Sequence, residues 1–212
     1  MRYLFLSLWW APFCSPAAAQ PTPAIHAYLS VRSPPDTLLF EVSDVANYLT
    51  IGDTIPTALF FSTVPVDLLR EIDYIADSLQ ATVVGRQHFA WNDSIEAYWV
   101  KITQHWFEHQ SLLLYNRHRQ TFTDRVTVAE WYGGDGGQIL IGTWLLDYDG
   151  DGQRDLLRRE IEHSAVPEGE EVRDVFRESA VWLAWQDGHF VERPVVVDSV
   201  FLAKHFPLRT PW

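Results

Sequence analysis

Cysteine and methionine are almost absent from this sequence of 212 residues. The one cysteine is Cys14 and the one methionine is Met1. A single cysteine excludes an intramolecular disulfide and a zinc site built from cysteines. Positive charge is also scarce, since 16 Lys and Arg face 28 Asp and Glu and leave a formal net charge of -12. This excess of negative charge disfavours nucleic acid and anionic lipid as partners.

Residues 1–19 have the composition of a secretory signal peptide. One positive charge, Arg2, is followed by an apolar run over residues 3–11 and by the small residues Ala17–Ala19. This order is typical of an export signal, and the run is too short to span a bilayer. We expect cleavage near Ala19, and therefore a protein that works in the periplasm or outside the cell. No other segment has the length of a transmembrane span.

The rest of the chain is predicted to form a leader, one domain and a short tail. Residues 20–37 are rich in proline and predict an extended leader, with a strand-like stretch at Ile25–Val31. Residues 38–206 predict a single globular domain, and 207–212 a tail. Because the expected mature chain has no cysteine, its stability has to come from core packing or from a bound ion.

Hydrophobic periodicity predicts a mainly β fold of antiparallel hairpins, with one helix near residues 66–80 that brings it close to the α+β class. Apolar residues in that stretch recur every three or four positions, as on one face of a helix. Ser62 or Thr63 is expected to cap it, and Pro65 suits its first turn. Asp187-Gly188 predicts a hairpin turn. Strands are predicted at Leu38–Val42, Thr57–Val64, Ala97–Phe107, Leu112–Tyr115, Phe122–Tyr132, Gln138–Leu146, Val172–Trp185 and His189–Val197.

One loop has a spacing that predicts specific chemistry. Aspartates occupy positions 1, 3, 5 and 9 of residues 147–155, and glycine occupies position 6. Calcium binds six to eight oxygens at roughly 2.3–2.6 Å, and alternate side chains of a tight loop converge on one point. Four carboxylates this close repel one another unless a cation lies between them. The predicted calcium ligands are the side chains of Asp147, Asp149, Asp151 and Asp155 and the backbone carbonyl of Gln153.

The loop resembles the calcium loops of the FG-GAP/VCBS group, known from integrin-like β-propeller repeats. Those loops run Asp-x-Asp-x-Asp-Gly-x-x-Asp between two strands, and the five predicted ligands match theirs one for one. An EF-hand differs, because its twelfth position is a bidentate glutamate, whereas Arg158 stands there in this chain. The resemblance covers only Ile139–Val191. A propeller needs several such units, so a full propeller is not expected.

Two segments beside this loop allow more than one interpretation. Leu156–His163 could form a helix, since Leu157, Ile161 and Ala165 are spaced four apart. We prefer a strand, because the flanking segments are β-like. Residues 133–137 are rich in glycine and could cradle a phosphate, but no Lys-Ser/Thr pair follows them, which favours a turn between two strands.

His105, Glu108 and His109 spell H-x-x-E-H, the inverted zinc-peptidase motif. That chemistry requires a helix, so that the two histidines lie one turn apart and face the metal. The surrounding residues alternate with a period of two instead. In a strand Glu108 would point away from His109, and cross-strand or surface histidines become the favoured interpretation. The sequence leaves open whether the motif binds a metal.

Together these patterns predict an exported, calcium-binding, non-enzymatic β domain that acts as a binding or structural module. Its further partner, a protein or a carbohydrate, is not identified by the sequence. Exposed tryptophans would suit a sugar or a peptide. Two alternatives remain: an exported hydrolase of glycosidase or zinc-peptidase type, and an accessory subunit of a cell-envelope assembly.

Overall fold

The structure, a computed structural model, describes most of the chain beyond the predicted signal peptide. The described residues are 22–33, 36–42, 52–70, 72, 81–104, 107–134, 136–169, 171–195 and 198–210. The helices are a 3₁₀ helix at Ala24–Tyr28, α1 at Thr57–Thr63, α2 at Val66–Leu69 and α3 at Ser199–His205. The strands are β1 Ser30–Val31, β2 Leu38–Phe40, β3 Asp53–Ile55, β4 Thr82–Ala90, β5 Ile95–Gln104, β6 Phe107–Asn116, β7 Thr121–Gly134, β8 Gly137–Leu146, β9 Asp155–Glu168, β10 Glu171–Gln186 and β11 His189–Pro194. The predicted signal peptide lies outside these ranges, so export stays a prediction.

The described strands form one sheet that does not close on itself. Strands β4 to β11 follow one another as an antiparallel meander, and β1 pairs with β4 in parallel. Strand β3 pairs with the same edge of β4, while β2 pairs with β8. The prediction of a mainly β fold that is not a closed propeller is therefore confirmed.

Strand β7 changes partner along its length. It pairs with β6 through Thr121–Trp131 and with β8 only through Glu130–Gly134. Beyond Ile141, β8 pairs instead with β2, at residues 143–145. The sheet bends at this point, so that the half formed by β4 to β7 faces the half formed by β8 to β11.

Two hydrophobic cores lie on the two faces of the sheet. Because side chains alternate along a strand, Leu113 of β6 enters one core while Leu112 and Leu114 enter the other. The first core lies between the sheet and the helices, with Ile25 and Phe60 fully buried. The second core lies between the two halves of the bent sheet and contains Trp99 and Trp185, among others.

The strand predicted over Thr57–Val64 is wrong, because this segment forms helix α1. Phe60 and Val64, four residues apart, are both buried in the first core. This spacing suits a helix, and tertiary packing outweighs the β-propensity of the phenylalanines and threonines. The predicted cap is also wrong, since the hydroxyls of Ser62 and Thr63 donate to the carbonyl of Leu59 within α1.

The next helix does begin as expected, at Val66 directly after Pro65. Helix α2 ends at Leu69, with Arg70 as its C-cap, so it is shorter than the helix predicted near 66–80. Most of the remaining predicted stretch lies outside the described residues. The stretch predicted as a strand at Ile25–Val31 forms the 3₁₀ helix and only the two-residue strand β1. Ile25 is fully buried, so this part of the predicted leader packs into the first core.

The strands predicted in the second half of the chain are confirmed, with shifted ends. Residues 156–163 lie in β9, and Asp187-Gly188 forms the predicted hairpin turn with positive φ at both residues. Gly134 at the end of β7 pairs with Gly137 at the start of β8, which agrees with the preferred turn between two strands, although Asp135 lies outside the described residues. The strand predicted to run to Phe107 instead ends at Gln104, which pairs with Phe107 at the start of β6.

Truncation of Ile25 tests whether the 3₁₀ helix contributes to folding stability. Removal of a fully buried side chain loses transfer free energy and leaves a cavity. We expect Ile25→Ala to lower the free energy of unfolding by about 2–4 kcal/mol in urea denaturation. The matched change Val31→Ala, at a residue 74% exposed, should stay within about 0.5 kcal/mol. Equal effects of the two changes would contradict the docking of this segment.

Candidate metal centre

The aspartate loop joins two paired strands of the sheet. Leu146 at the end of β8 pairs with Asp155 at the start of β9, and residues 147–154 connect them. Gly150 and Gly152 have φ values of +79° and +84°. These left-handed conformations favour glycine and let the chain turn sharply enough to bring alternate side chains together.

Three of the predicted ligands converge. Asp147, Asp149 and Asp151 each offer a carboxylate oxygen within 4.8 Å of the others, and all three are exposed. Among the described residues, none of the three forms an ion pair with a lysine, arginine or histidine. Three like charges this close repel one another, and a hard divalent cation would relieve that repulsion.

Backbone N–H groups hold these carboxylates in place. Asp147 accepts from the N–H groups of Gly150 and Gly152, at 2.8 and 3.0 Å. Asp151 accepts from the backbone N–H of Gln153 at 2.7 Å and from its side-chain amide at 3.0 Å. Each carboxylate has about four acceptor positions, so these bonds leave lone pairs for an ion. Coordination of the ion by the backbone carbonyl of Gln153 stays a prediction.

Asp155 occupies a different position from the three exposed aspartates. It is buried, and its carboxylate accepts from the backbone N–H groups of Trp185 at 3.0 Å and Tyr148 at 3.4 Å. Burial raises the pKa of this carboxyl, and the N–H of Trp185 acts in the opposite direction. Asp155 thus ties the end of the loop to β10. It lies outside the converging group, and its direct contact with an ion stays a prediction.

A cleft of about 590 Å³ adjoins the loop. Its wall is shared between the loop and the turn that joins β4 to β5. The lining residues are Asp36, Trp91, Asn92, Asp147, Gly152, Gln153, Arg154 and Trp185. The rings of Trp91 and Trp185 lie 5.5 Å apart, and Arg154 donates to the carbonyl of Ala90 at 2.9 Å. Carboxylate, amide and indole groups therefore border one opening.

The described part of the H-x-x-E-H motif lies in strand β6. Glu108 contacts Lys101 at 2.6 Å and accepts from the side chain of Gln110. His109 points to the other face of the strand and bonds Glu130 across the ladder at 3.0 Å. His105 lies outside the described residues. The strand interpretation is confirmed for Glu108 and His109, which cannot act together on one metal from opposite faces.

Sequence reasoning missed a buried polar chain around His109. Its Nδ1 bonds Glu130 at 3.0 Å, and its Nε2 bonds the hydroxyl of Ser111 at 2.7 Å. Arg125 also donates to the hydroxyl of Ser111, at 3.3 Å. The order Ser-His-Glu is that of a hydrolase triad, but Ser111 is fully buried and offers no path to a substrate. We infer that this hydrogen-bonded network of Ser111, His109 and Glu130 stabilises the fold.

Comparison of the sequence with protein-family models and with curated proteins gives no match. The resemblance of the aspartate loop to the FG-GAP/VCBS loops therefore depends on the loop residues alone. No helix in the described part of the chain is long and apolar enough to cross a membrane.

The burial of His109 predicts a loss of stability in acid. Burial, and secondly the charge of Arg125, lower the pKa of His109 to about 3, whereas an unfolded histidine titrates near pH 6.5. Between these values the unfolded chain binds the additional proton, so stability falls as the pH falls. The contribution of this residue is at most about 1.4 kcal/mol per pH unit.

Urea denaturation at a series of pH values tests this. The variant His109→Gln should lose part of the slope between pH 6.5 and pH 4, whatever its stability at neutral pH. The control His118→Gln removes an exposed histidine in the β6–β7 turn and should keep the slope of the original chain. Parallel profiles for all three proteins would refute the assignment to His109.

Proposed function

We propose that this protein is an exported, calcium-binding, non-enzymatic β domain that acts as a binding or structural module. The observation that carries the proposal is the convergence of Asp147, Asp149 and Asp151 in one glycine-containing turn. An all-oxygen, multiply charged ligand set favours calcium over softer metals. The resemblance to the FG-GAP/VCBS loops supports the same ion.

The ion would act as a staple between strands. Asp147 follows β8, and Asp155 begins β9 and bonds the backbone of β10. A cation held by the loop would therefore stabilise three neighbouring strands at one end of the sheet. At ~1 mM calcium and a dissociation constant of roughly 10⁻⁴ M, binding contributes about 1.4 kcal/mol. That is a useful fraction of a total of about 5–15 kcal/mol in a chain expected to lack disulfides.

The cleft beside the loop is the proposed ligand surface of the module. Asp147, Gly152 and Gln153 belong both to the loop and to its wall, so the ion would fix one side of the opening. The carboxylates and amides of the wall suit the hydroxyl or amide groups of a sugar or a peptide, whereas Trp91 and Trp185 are largely buried and contribute only a small apolar area. A carbohydrate or peptide partner is the class that this lining supports.

Thermal unfolding with and without calcium tests the ion site. We expect 1 mM calcium, relative to EDTA, to raise the melting temperature by about 3–6 °C, as 1.4 kcal/mol does in a domain of this size. The variant Asp149→Asn removes one ligand and one charge and should abolish most of this increase.

The matched control is Asp93→Asn, which removes the same charge from an exposed residue of the β4–β5 turn. It should respond to calcium as the original chain does. If calcium raises the melting temperature of Asp149→Asn as much as that of the control, the loop is not the site. If the original chain is indifferent to both calcium and EDTA, the proposed staple is wrong.

A second candidate function is an accessory subunit of a cell-envelope assembly, and one observation favours it. The hairpin of β9 and β10 extends beyond the cores, and its outer part is exposed along most of residues 171–178. Val172 and Phe176 are 65% and 53% exposed. Apolar side chains on a projecting hairpin are typical of a protein contact.

Site-directed photocrosslinking tests this second candidate. A photoreactive phenylalanine analogue in place of Phe176 should give a discrete adduct of higher mass in intact cells that export the protein. The same analogue in place of Val200, which is 75% exposed on α3, should give none. Absence of an adduct from position 176, or the same adduct from both positions, would argue against the hairpin as a contact.

A further inference from the structure

A second cluster of potential metal ligands lies near the β4–β5 turn, on the face of the sheet that carries the first core. His26 is in the 3₁₀ helix, His88 is in β4 and Glu96 is in β5. A ring nitrogen of each histidine and a carboxylate oxygen of Glu96 all lie within 4.8 Å of one another. The side chains of His88 and Glu96 are only 4% and 13% exposed. This cluster is separate from the calcium loop.

One hydrogen-bonded chain connects these residues. The hydroxyl of Tyr98 donates to Glu96 Oε2 at 3.1 Å, so its only proton is used there. His26 Nδ1, which lies 3.0 Å from the same hydroxyl, is therefore the donor in that contact. His88 Nδ1 lies 2.9 Å from Glu96 Oε1 and donates, because an ionised carboxylate only accepts.

This arrangement fixes where the lone pairs of the two rings are. With the proton on Nδ1, the Nε2 of a neutral imidazole carries the lone pair. His88 Nε2 is buried and has no hydrogen-bond partner within the described part of the chain.

We propose that His26 and His88 bind a divalent cation of the zinc class through Nε2, with Glu96 as a positioning residue that accepts the Nδ1–H of His88. Imidazole nitrogens are ligands that zinc prefers, whereas calcium and magnesium prefer oxygen. A histidine ligand usually donates its other ring nitrogen to a carboxylate, as His88 does to Glu96. Ligands of one zinc ion lie roughly 3.3 Å apart. The rings of His26 and His88 are neighbours, with centroids 3.9 Å apart.

Such an ion would fasten the N-terminal segment to the sheet. His26 is held near β4 by the two residue pairs of β1 with β4 and by the packing of Ile25. His88 is one of those paired residues, opposite Val31. A cation between His26 and His88 would therefore add a third attachment beside the pairing and the apolar contact.

Isothermal titration of the purified, untagged chain with Zn²⁺ tests the proposal. The buffer contains 1 mM calcium, so that the aspartate loop is not available to zinc. We expect one Zn²⁺ per chain, and a Co²⁺ complex with the intense visible absorption of low-coordinate cobalt. The variant His26→Gln should weaken Zn²⁺ binding at least tenfold and remove the Co²⁺ absorption. This variant is chosen because His26 is only partly buried, so the substitution should not unfold the protein. The circular dichroism spectrum of the variant should match that of the original chain.

The matched control is His163→Gln. His163 also bonds a carboxylate, Asp174, at 2.7 Å, but lies in β9 and outside the cluster. The variant His163→Gln should bind Zn²⁺ as the original chain does. The variant Asp149→Asn should do the same, which would show that this site is distinct from the calcium loop. Glu96→Gln should weaken binding without removing either imidazole. The proposal is overturned if the original chain binds no Zn²⁺, or if folded His26→Gln binds it as tightly as His163→Gln does.

Discussion

Strand β7 pairs with β6 along eleven residues and with β8 along only five, and the rest of the structure depends on this change of partner. A strand that paired with both neighbours along its whole length would keep the two halves in one continuous twisted sheet. Here the sheet bends, and the two halves bury Trp99 and Trp185 between them. The bend also places the β8–β9 loop beside the β4–β5 turn, so the aspartates and the cleft lie together.

Polar groups inside the protein are held by partners from other strands. Asp155 accepts from the backbone of β10, His109 bonds Glu130 on β7, and His88 bonds Glu96 on β5. Each bond offsets the cost of burying a polar group and loses that benefit if the strands separate. The mature chain is expected to have no disulfide. Neighbouring strands are therefore held together by these cross-strand hydrogen bonds and by any ion that the same residues bind.

The sequence allowed the later strands and the aspartate loop to be predicted, because both are local patterns. Alternation identifies a strand, and Asp-x-Asp-x-Asp-Gly identifies a tight acidic turn. Thr57–Val64 was misassigned because the burial of Phe60 depends on a sheet formed later in the chain. The position of Asp155 at the end of the loop could be predicted. Its hydrogen bond to Trp185 could not, because the two residues are thirty positions apart in the sequence. The proximity of His26 to His88 has no local signal, since the parallel pairing of β1 with β4 creates it.

Gly85 of β4 is the residue that allows the 3₁₀ helix to pack closely against the sheet. A Cβ at this position of β4 would lie 2.3 Å from the carbonyl oxygen of Tyr28, so any larger residue would push the 3₁₀ helix away from the sheet. A homologue that keeps the helix docked should therefore retain glycine here. The same docking brings His26 to His88. A homologue that has lost this glycine should therefore also have lost the histidine pair.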